Sequence, residues 1–118
     1  MLTNVTTIRQ GAPIEEAAKK ITQGEFTHLP VVSEDDRLVG IVTAWDISSA
    51  VASKRDTLDE IMTKKVITSD IDEPIEISAA KVEKHNISAL PVVDKDSRVV
   101  GILTSDDITR LVAKRRVK

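Results

Sequence analysis

Two short polar motifs hold the residues of this chain that are best suited to binding a ligand. Thr43 is followed three residues later by Asp46, and Thr104 is followed at the same spacing by Asp107. A carboxylate that accepts two hydroxyl donors can hold the vicinal diol of a ribose, and each such charge-assisted hydrogen bond contributes about 1.5–3 kcal/mol. The neighbouring threonine hydroxyl can bond the sugar or its 5′ substituent. The two motifs therefore indicate two equivalent sites for a ribosyl ligand.

The same spacing also fits a purely structural role. Ser or Thr followed three residues later by an acid forms a capping box, in which hydroxyl and carboxylate bond backbone N–H groups at the start of a helix. The acid then also complements the helix dipole. Capping and ligand binding are compatible, because each side chain has more lone pairs than the cap uses. Both alternatives stay open at this point.

Both motifs lie at the same place in an internal repeat. Residues 40–47, GIVTAWDI, return as residues 101–108, GILTSDDI, a shift of 61 positions (101 − 40 = 61). The same shift maps LPVV at 29–32 onto LPVV at 90–93. Because a repeat fixes the architecture of a chain, we predict one repeat over residues 1–56 and a second over residues 57–118, together forming one module.

Hydrophobic spacing predicts the order β-α-β-β-α in each repeat, which is a mixed α/β (α+β) unit. Pro13 and Pro74 suit the first turn of a helix, and Gly24 suits its end. A short helix is predicted over residues 57–62, with Thr57 as its cap. The predicted strands are 5–8, 29–32 and 38–42 in repeat 1, and 66–69, 90–93 and 99–103 in repeat 2. The helix that closes each repeat is predicted over 45–53 and over 106–114.

Composition excludes several functional classes. The net charge is −2 and the pI is about 5.7, so no overall basic field attracts nucleic acid or an anionic membrane. No stretch reaches the roughly 20 apolar residues of a membrane span. Ser48 and Ser49 lack a basic partner at a recognisable spacing, and the two histidines lack nearby acids, so we expect neither an enzyme nor a metal site. The absence of cysteine fits an intracellular, cytoplasmic protein.

Longer stretches around the two motifs carry a family likeness. Residues 26–32, FTHLPVV, precede 37–46, RLVGIVTAWD, and this arrangement recurs as 87–93, ISALPVV, with 98–107, RVVGILTSDD. Residues 59–63, DEIMT, look like a lead-in to a repeat. With two copies in register, the chain resembles the CBS-domain pair, or Bateman module, over essentially its whole length.

The resemblance implies a fold and a pair of binding clefts. In the family, two repeats pack about a pseudo-twofold axis and leave two clefts that can bind adenosine derivatives. Adenine lies against one repeat, and the aspartate of the other repeat holds the ribose. One cleft would combine Ala12, Ala17, Phe26 and Thr27 with Ile102, Thr104, Asp106 and Asp107. The other would combine Glu73, Ser78, Ile87 and Ser88 with Ile41, Thr43, Trp45 and Asp46.

Three residues bear on the choice of ligand. His28 stands where family members that bind phosphorylated nucleotides often carry basic residues, and it either contacts a phosphate or caps a loop. Asp106 adds a second negative charge beside Asp107. ATP and ADP are therefore disfavoured, and AMP, S-adenosylmethionine or methylthioadenosine is expected as a regulatory ligand, with no obligatory cofactor. Trp45 stacks on adenine, packs between helices, or contacts a second copy of the chain.

The resemblance implies a regulatory module and not an enzyme. A bound adenosyl ligand would shift the orientation of the repeats, and a fused or partner output domain would sense the shift. Similar pairs are fused to archaeal metabolic proteins, including those linked to sulfur amino-acid synthesis. Because Met1 falls opposite Met62, repeat 1 has no counterpart of the lead-in helix. The chain is then either a minimal stand-alone module or part of a longer chain, and we expect the second. The resemblance also implies a homodimer. The alternative is a ligand-free dimerisation scaffold.

Overall fold

The computed structural model describes residues 5–24 and 27–116. The chain divides into two compact units: the first unit is Thr6–Val66, and the second unit includes Ile67–Lys118. Each unit has the predicted order β-α-β-β-α, with a three-stranded sheet, which confirms the tandem mixed α/β architecture. Across the described residues, no helix is both long enough and apolar enough to cross a membrane.

The sheet of the first unit has the order β1-β2-β3. β1 runs parallel to β2, and β2 runs antiparallel to β3, as the hairpin pattern predicted. The register pairs Val31 with Gly40 and places His28 opposite Thr43. The elements of this unit are β1 (Ile8–Arg9), α1 (Ile14–Gly24), β2 (His28–Val32), β3 (Leu38–Thr43), α2 (Ala44–Ser53) and α3 (Leu58–Ile61).

The second unit repeats this topology with the sheet order β4-β5-β6. Its register is equivalent at every pair of β5 and β6, including Val92 with Gly101 and Ala89 with Thr104. The hairpin loops also correspond, because Asp36 and Ser97 both adopt a positive φ, near 63° and 65°. The elements are β4 (Ser69–Asp70), α4 (Ile75–His85), β5 (Ala89–Val93), β6 (Val99–Thr104) and α5 (Ser105–Arg116).

The first strand of each unit is shorter and later than predicted. The β-branched runs 5–8 and 66–69 indicated four-residue strands, but only Ile8–Arg9 and Ser69–Asp70 pair. Ile8 lies opposite Val31, so Thr7 would face Pro30. Proline has no backbone N–H to donate, and the ladder stops there. Pro91 occupies the equivalent place in β5.

The core of the first unit is aliphatic and includes the segment between the repeats. α1 buries Ile14, Ala17 and Ile21 along one face against the sheet. α3 adds Leu58 to the same cluster, and Met62 follows it. Thr57 stands at the predicted cap position of α3, and its N–H donates to Glu60 Oε1 over 3.3 Å, the carboxylate half of a capping box. Whether the functional repeat begins at residue 57 stays a prediction.

The second unit has a partly polar interior. Ser69 and Ser78, which stand at the repeat positions of Ile8 and Ala17, are each 2% exposed. Their hydroxyls lie 2.7 Å apart, and one donates a hydrogen bond to the other. Ser78 also donates to Glu73, whose carboxylate lies 2.7 Å from the ammonium of Lys81. The same fold thus encloses a hydrogen-bonded network in one unit and hydrocarbon in the other.

Candidate functional site

The first Thr-x-x-Asp motif joins the end of β3 to the start of α2. The backbone N–H of Thr43 donates to Asp46 Oδ2 over 2.8 Å, and the N–H of Asp46 donates to Thr43 Oγ1 over 3.1 Å. This is a complete capping box. Within residues 5–24 and 27–116, neither a hydrogen bond nor an ion pair engages Asp46 Oδ1. One carboxylate oxygen therefore serves the helix, and the other is left for a ligand.

The second motif has the same geometry between β6 and α5. Thr104 N–H donates to Asp107 Oδ2 over 3.0 Å, and Asp107 N–H donates to Thr104 Oγ1 over 3.0 Å. Here the other carboxylate oxygen, Asp107 Oδ1, lies 3.7 Å from the guanidinium of Arg110, which is 74% exposed. The capping role of both motifs is confirmed, and their sugar-binding role stays a prediction.

The charge state of Asp107 favours hydroxyl binding. Burial of its carboxyl group raises the pKa, but hydrogen bonds from Thr104 and the nearby charge of Arg110 outweigh burial and hold the pKa below its ordinary value. Asp107 is therefore an anion at neutral pH. An anionic carboxylate accepts hydrogen bonds and donates none, which suits the two hydroxyl donors of a vicinal diol.

Each sheet brings further predicted site residues to the edge that carries its motif. In the first unit His28 pairs with Thr43, and the carbonyl of Thr27 accepts from Ala44 N–H over 3.1 Å. In the second unit the carbonyl of Ser88 accepts from Ser105 N–H over 2.9 Å. Ile41 and Ile102 lie two residues before the threonines, hence on the same face of β3 and β6.

His28 is poorly suited to bind a phosphate as a cation. Burial lowers the pKa of its imidazole, and the negative charge of Asp46 offsets this only in part. The ring is therefore neutral at pH 7. Its Nδ1 lies 2.9 Å from the hydroxyl of Thr27. This charge state agrees with the prediction that ATP and ADP are disfavoured ligands.

Trp45 does not have the buried packing role that was one of its three predicted alternatives. Its side chain is 75% exposed at the start of α2, so the indole is available to a ligand or to a partner. The structure leaves those two alternatives open. Asp106, at the equivalent position in the second unit, is also exposed.

A small pocket of about 120 Å³ lies beside Asp46, between α2 and the segment that leads into α3. Lys54 has a positive φ of 58° at the end of α2, which turns the chain so that α3 returns alongside. Sequence reasoning missed the α3 side of this pocket, because a four-residue helix carries too little periodicity to show where it packs. The lining includes Trp45, Asp46 and Ser49 from α2, with Arg55, Glu60 and Ile61.

The other predicted site residues have varied surroundings. Ala17 is fully buried among the aliphatic residues of its unit, and Ser78 is buried in the polar network, so both serve their own interiors. Ala12 and Ile87 are half-buried, whereas Thr27 and Ser88 are exposed. Phe26 lies outside the described residues. The pairing of residues from opposite repeats in one cleft stays a prediction. Among the described residues no cluster of His, Cys, Asp or Glu could hold a metal ion.

The sequence matches a known family model, and the fold matches solved structures. The family model described as CBS domain matches residues 1–53 and 58–114. The CBS domain pair of protein MJ0100, solved in complex with 5′-methylthioadenosine and S-adenosyl-L-methionine, is 44% identical with a TM-score of 0.87 and 98% coverage of both chains. CBSX2, solved in complex with AMP, has a TM-score of 0.86 at 21% identity, a likeness of fold alone.

The curated relatives are longer proteins. Homoserine O-acetyltransferase of Methanohalobium evestigatum is 55% identical over 112 residues, which are 95% of this chain and 23% of the relative. L-aspartate semialdehyde sulfurtransferase of Methanocaldococcus jannaschii is 48% identical over 110 residues, which are 93% of this chain and 22% of the relative. The chain thus spans less than a quarter of the length of either relative.

Proposed function

The chain belongs to the CBS domain family, and from that membership we propose that it is a regulatory module that senses an adenosine derivative. The observation that carries the proposal is the pair of equivalent Thr-x-x-Asp motifs, each fixed at a strand end and a helix start. In this proposal, which follows the family resemblance, the ligand would lie in clefts between the repeats. The relative of 44% identity that was solved with two adenosyl compounds supports this ligand class.

The capping boxes prepare the carboxylates for this role. Hydrogen bonds through Oδ2 hold Asp46 and Asp107 in one rotamer, so little side-chain entropy is lost when a ligand arrives. A ribose diol would then donate to the remaining carboxylate oxygen. At Asp107, these bonds would replace the contact with the exposed Arg110. Such bonds to a charged acceptor contribute about 1.5–3 kcal/mol each.

The charges around the motifs favour a ligand with few phosphates. His28 is neutral at pH 7, Ala89 occupies its place in the second repeat, and Asp106 adds a negative charge. These groups offer little positive charge to pair with the phosphates of ATP. AMP, or an adenosyl thioether or sulfonium compound, needs less positive charge from the protein. We therefore favour S-adenosylmethionine, methylthioadenosine or AMP as the regulatory ligand.

The output of the module would be a change in a fused or partner domain. The curated relatives named as enzymes match this chain over less than a quarter of their length, which supports a regulatory and not a catalytic role for the matching part. A ligand can shift the repeats only by binding two arrangements with different affinity. The proposal includes a cytoplasmic location, which the cysteine-free composition supports.

Thermal unfolding with a panel of adenosine compounds tests the proposal. A ligand at 100 times its Kd adds about 2.7 kcal/mol to the free energy of unfolding, so methylthioadenosine, S-adenosylmethionine or AMP should raise the Tm measurably. Asp46→Asn with Asp107→Asn should remove that response while the protein stays folded. If no compound of the panel changes the Tm of the unaltered chain, the sensing function is wrong.

A second candidate is a dimerisation scaffold with empty clefts. The observation that favours it is the exposure of two large apolar side chains on α2, Trp45 at 75% and Val51 at 72%. Sedimentation of the unaltered chain and of Trp45→Ser separates the candidates. A dimer that depends on Trp45, in a chain that binds no adenosine compound, would support the scaffold.

A further inference from the structure

The pocket beside Asp46 is the right size for part of a ligand. Its volume is about 120 Å³, whereas pockets that hold whole drug-sized ligands measure about 300–1,000 Å³. A nucleoside does not fit inside it. Because Asp46 belongs both to the pocket and to the capping motif, a group attached to a sugar at Asp46 can reach the pocket directly.

Besides Asp46, the lining presents one cation, one further carboxylate and one aromatic ring. Arg55 Nη1 donates to the carbonyl of Glu60 over 3.2 Å, which holds the guanidinium beside α3. Glu60 Oε1 accepts from the N–H and the hydroxyl of Thr57, over 3.3 and 2.9 Å, and the hydroxyl bond is the main cause of the lowered pKa of Glu60. In the described ranges, no hydrogen bond occupies Arg55 Nε or Nη2. The backbone of Asp56 also contributes a hydrogen bond that lowers the pKa of Glu60.

We propose that this pocket takes the zwitterionic α-amino-acid end of an adenosyl sulfonium ligand whose ribose Asp46 holds. The carboxylate of the ligand pairs with Arg55, its ammonium group pairs with Glu60, and its sulfonium faces the ring of Trp45. The inference rests on the proposed function, because it needs the sugar at Asp46. It adds a residue-level reason for choosing between ligands that share the same adenosine.

The second repeat replaces three of the residues that line this pocket, although the same shift maps Arg55 onto Arg116. The shift of 61 positions replaces Trp45 by Asp106, a carboxylate in place of an aromatic ring. It also replaces Ser49 by Arg110, which lies against Asp107. Ala50, which is 1% exposed, becomes Leu111, which is 40% exposed. The motif at Asp107 therefore favours a shorter adenosine compound, and the two motifs of one chain differ in the ligand that they prefer.

Isothermal titration with three ligands tests the inference. S-adenosylmethionine has the amino-acid end and the sulfonium, S-adenosylhomocysteine has only the amino-acid end, and methylthioadenosine has neither. We expect Arg55→Gln to weaken the first two about tenfold at one site per chain, with methylthioadenosine changed less than about twofold. Trp45→Leu should weaken S-adenosylmethionine about two- to fivefold, and S-adenosylhomocysteine less.

Matched controls make the outcome decisive. Arg37→Gln removes the same charge from an exposed hairpin residue and should leave all three affinities unchanged. Glu60→Gln keeps an amide oxygen for the Thr57 bonds and should weaken only the two ligands with an ammonium group. If methylthioadenosine binds but the ratio of the three affinities is the same in Arg55→Gln, the inference is overturned while the proposed function stands. If no adenosine compound binds the unaltered chain, both fail.

Discussion

At the scale of single residues, the two Thr-x-x-Asp motifs combine a structural and a binding capacity. Together, the threonine and the aspartate of each motif satisfy two backbone N–H groups that would otherwise lack partners at a helix start. The cap uses one carboxylate oxygen and leaves the other. Sequence spacing predicted the cap correctly, because a capping box depends on local geometry alone. It could not settle whether a ligand also binds, since that depends on groups distant in sequence.

The first prediction concerns the capping hydroxyl of Thr43. Thr43→Ala removes the acceptor for Asp46 N–H and should lower the free energy of unfolding by about 1 kcal/mol. Chemical denaturation measures this change. Thr43→Ser keeps the hydroxyl and is the matched control. An equal loss of stability in both variants would show that the hydroxyl bond is not the cause.

The second prediction concerns the pH dependence that Asp107 contributes. Its pKa in the folded protein lies below the ordinary value of 3.8, so its charged form stabilises the fold above about that pH. This contribution is lost as the pH falls from 3.8 through the lowered value. The stability difference between the unaltered chain and Asp107→Asn should therefore be larger at pH 7 than at pH 3. Denaturation at both pH values checks it, and a constant difference would contradict the assignment.

At the scale of elements, the segment that joins the repeats is part of the first unit. Thr63 exchanges two backbone hydrogen bonds with Ile41, over 2.9 and 3.0 Å. Met62 packs on Gly40, where an added Cβ would lie 2.6 Å from the Met62 sulfur. The segment thus buries its apolar residues on β3, and the absence of a side chain at Gly40 makes room for it.

The third prediction tests this close approach. Gly40→Ala should lower the free energy of unfolding by about 1–3 kcal/mol, because the new methyl group overlaps Met62. Combining it with Met62→Ala should cost less than the sum of the two single changes, since each residue then has room. Denaturation of the four proteins of this cycle gives the coupling. Strict additivity would mean that Met62 does not set the requirement for glycine.

Most elements could be predicted from the sequence, and the failures have physical causes. The hairpins and the long helices follow from periodic apolar spacing and turn residues, such as Asp94, which accepts from Asp96 and Arg98 N–H. The first strands were wrong because β-propensity does not register a proline on the neighbouring strand. The pocket beside Asp46 escaped prediction because the packing of α3 is a tertiary contact.

At the scale of the whole molecule, one fold is repeated with two different interiors. The repeat predicts equivalent positions, but Ser69, Ser78 and Glu73 replace Ile8, Ala17 and Ala12. Each hydroxyl or carboxylate in this network requires a partner, because an unsatisfied polar group in a folded interior is costly. Lys81 supplies the cation for Glu73, whose side chain is only 10% exposed.

The fourth prediction compares two lysines that occupy equivalent positions in the two repeats. Lys81→Met removes the cation beside Glu73 and should lower the free energy of unfolding by about 1–3 kcal/mol at pH 7. Lys20→Met changes the equivalent lysine of the first repeat, where Ala12 stands in place of Glu73, and should cost less than about 0.5 kcal/mol. Equal effects of the two substitutions would contradict the role of the ion pair.

The central claim is that the aspartates of both motifs hold the sugar of an adenosine compound. A crystal structure of the chain with S-adenosylmethionine tests it most directly, through the distances from Asp46 and Asp107 to the ribose hydroxyls. We expect both hydroxyls of a bound ribose at about 2.5–3.0 Å from a carboxylate oxygen, with the capping bonds intact. A bound ligand whose ribose contacts neither aspartate would contradict it.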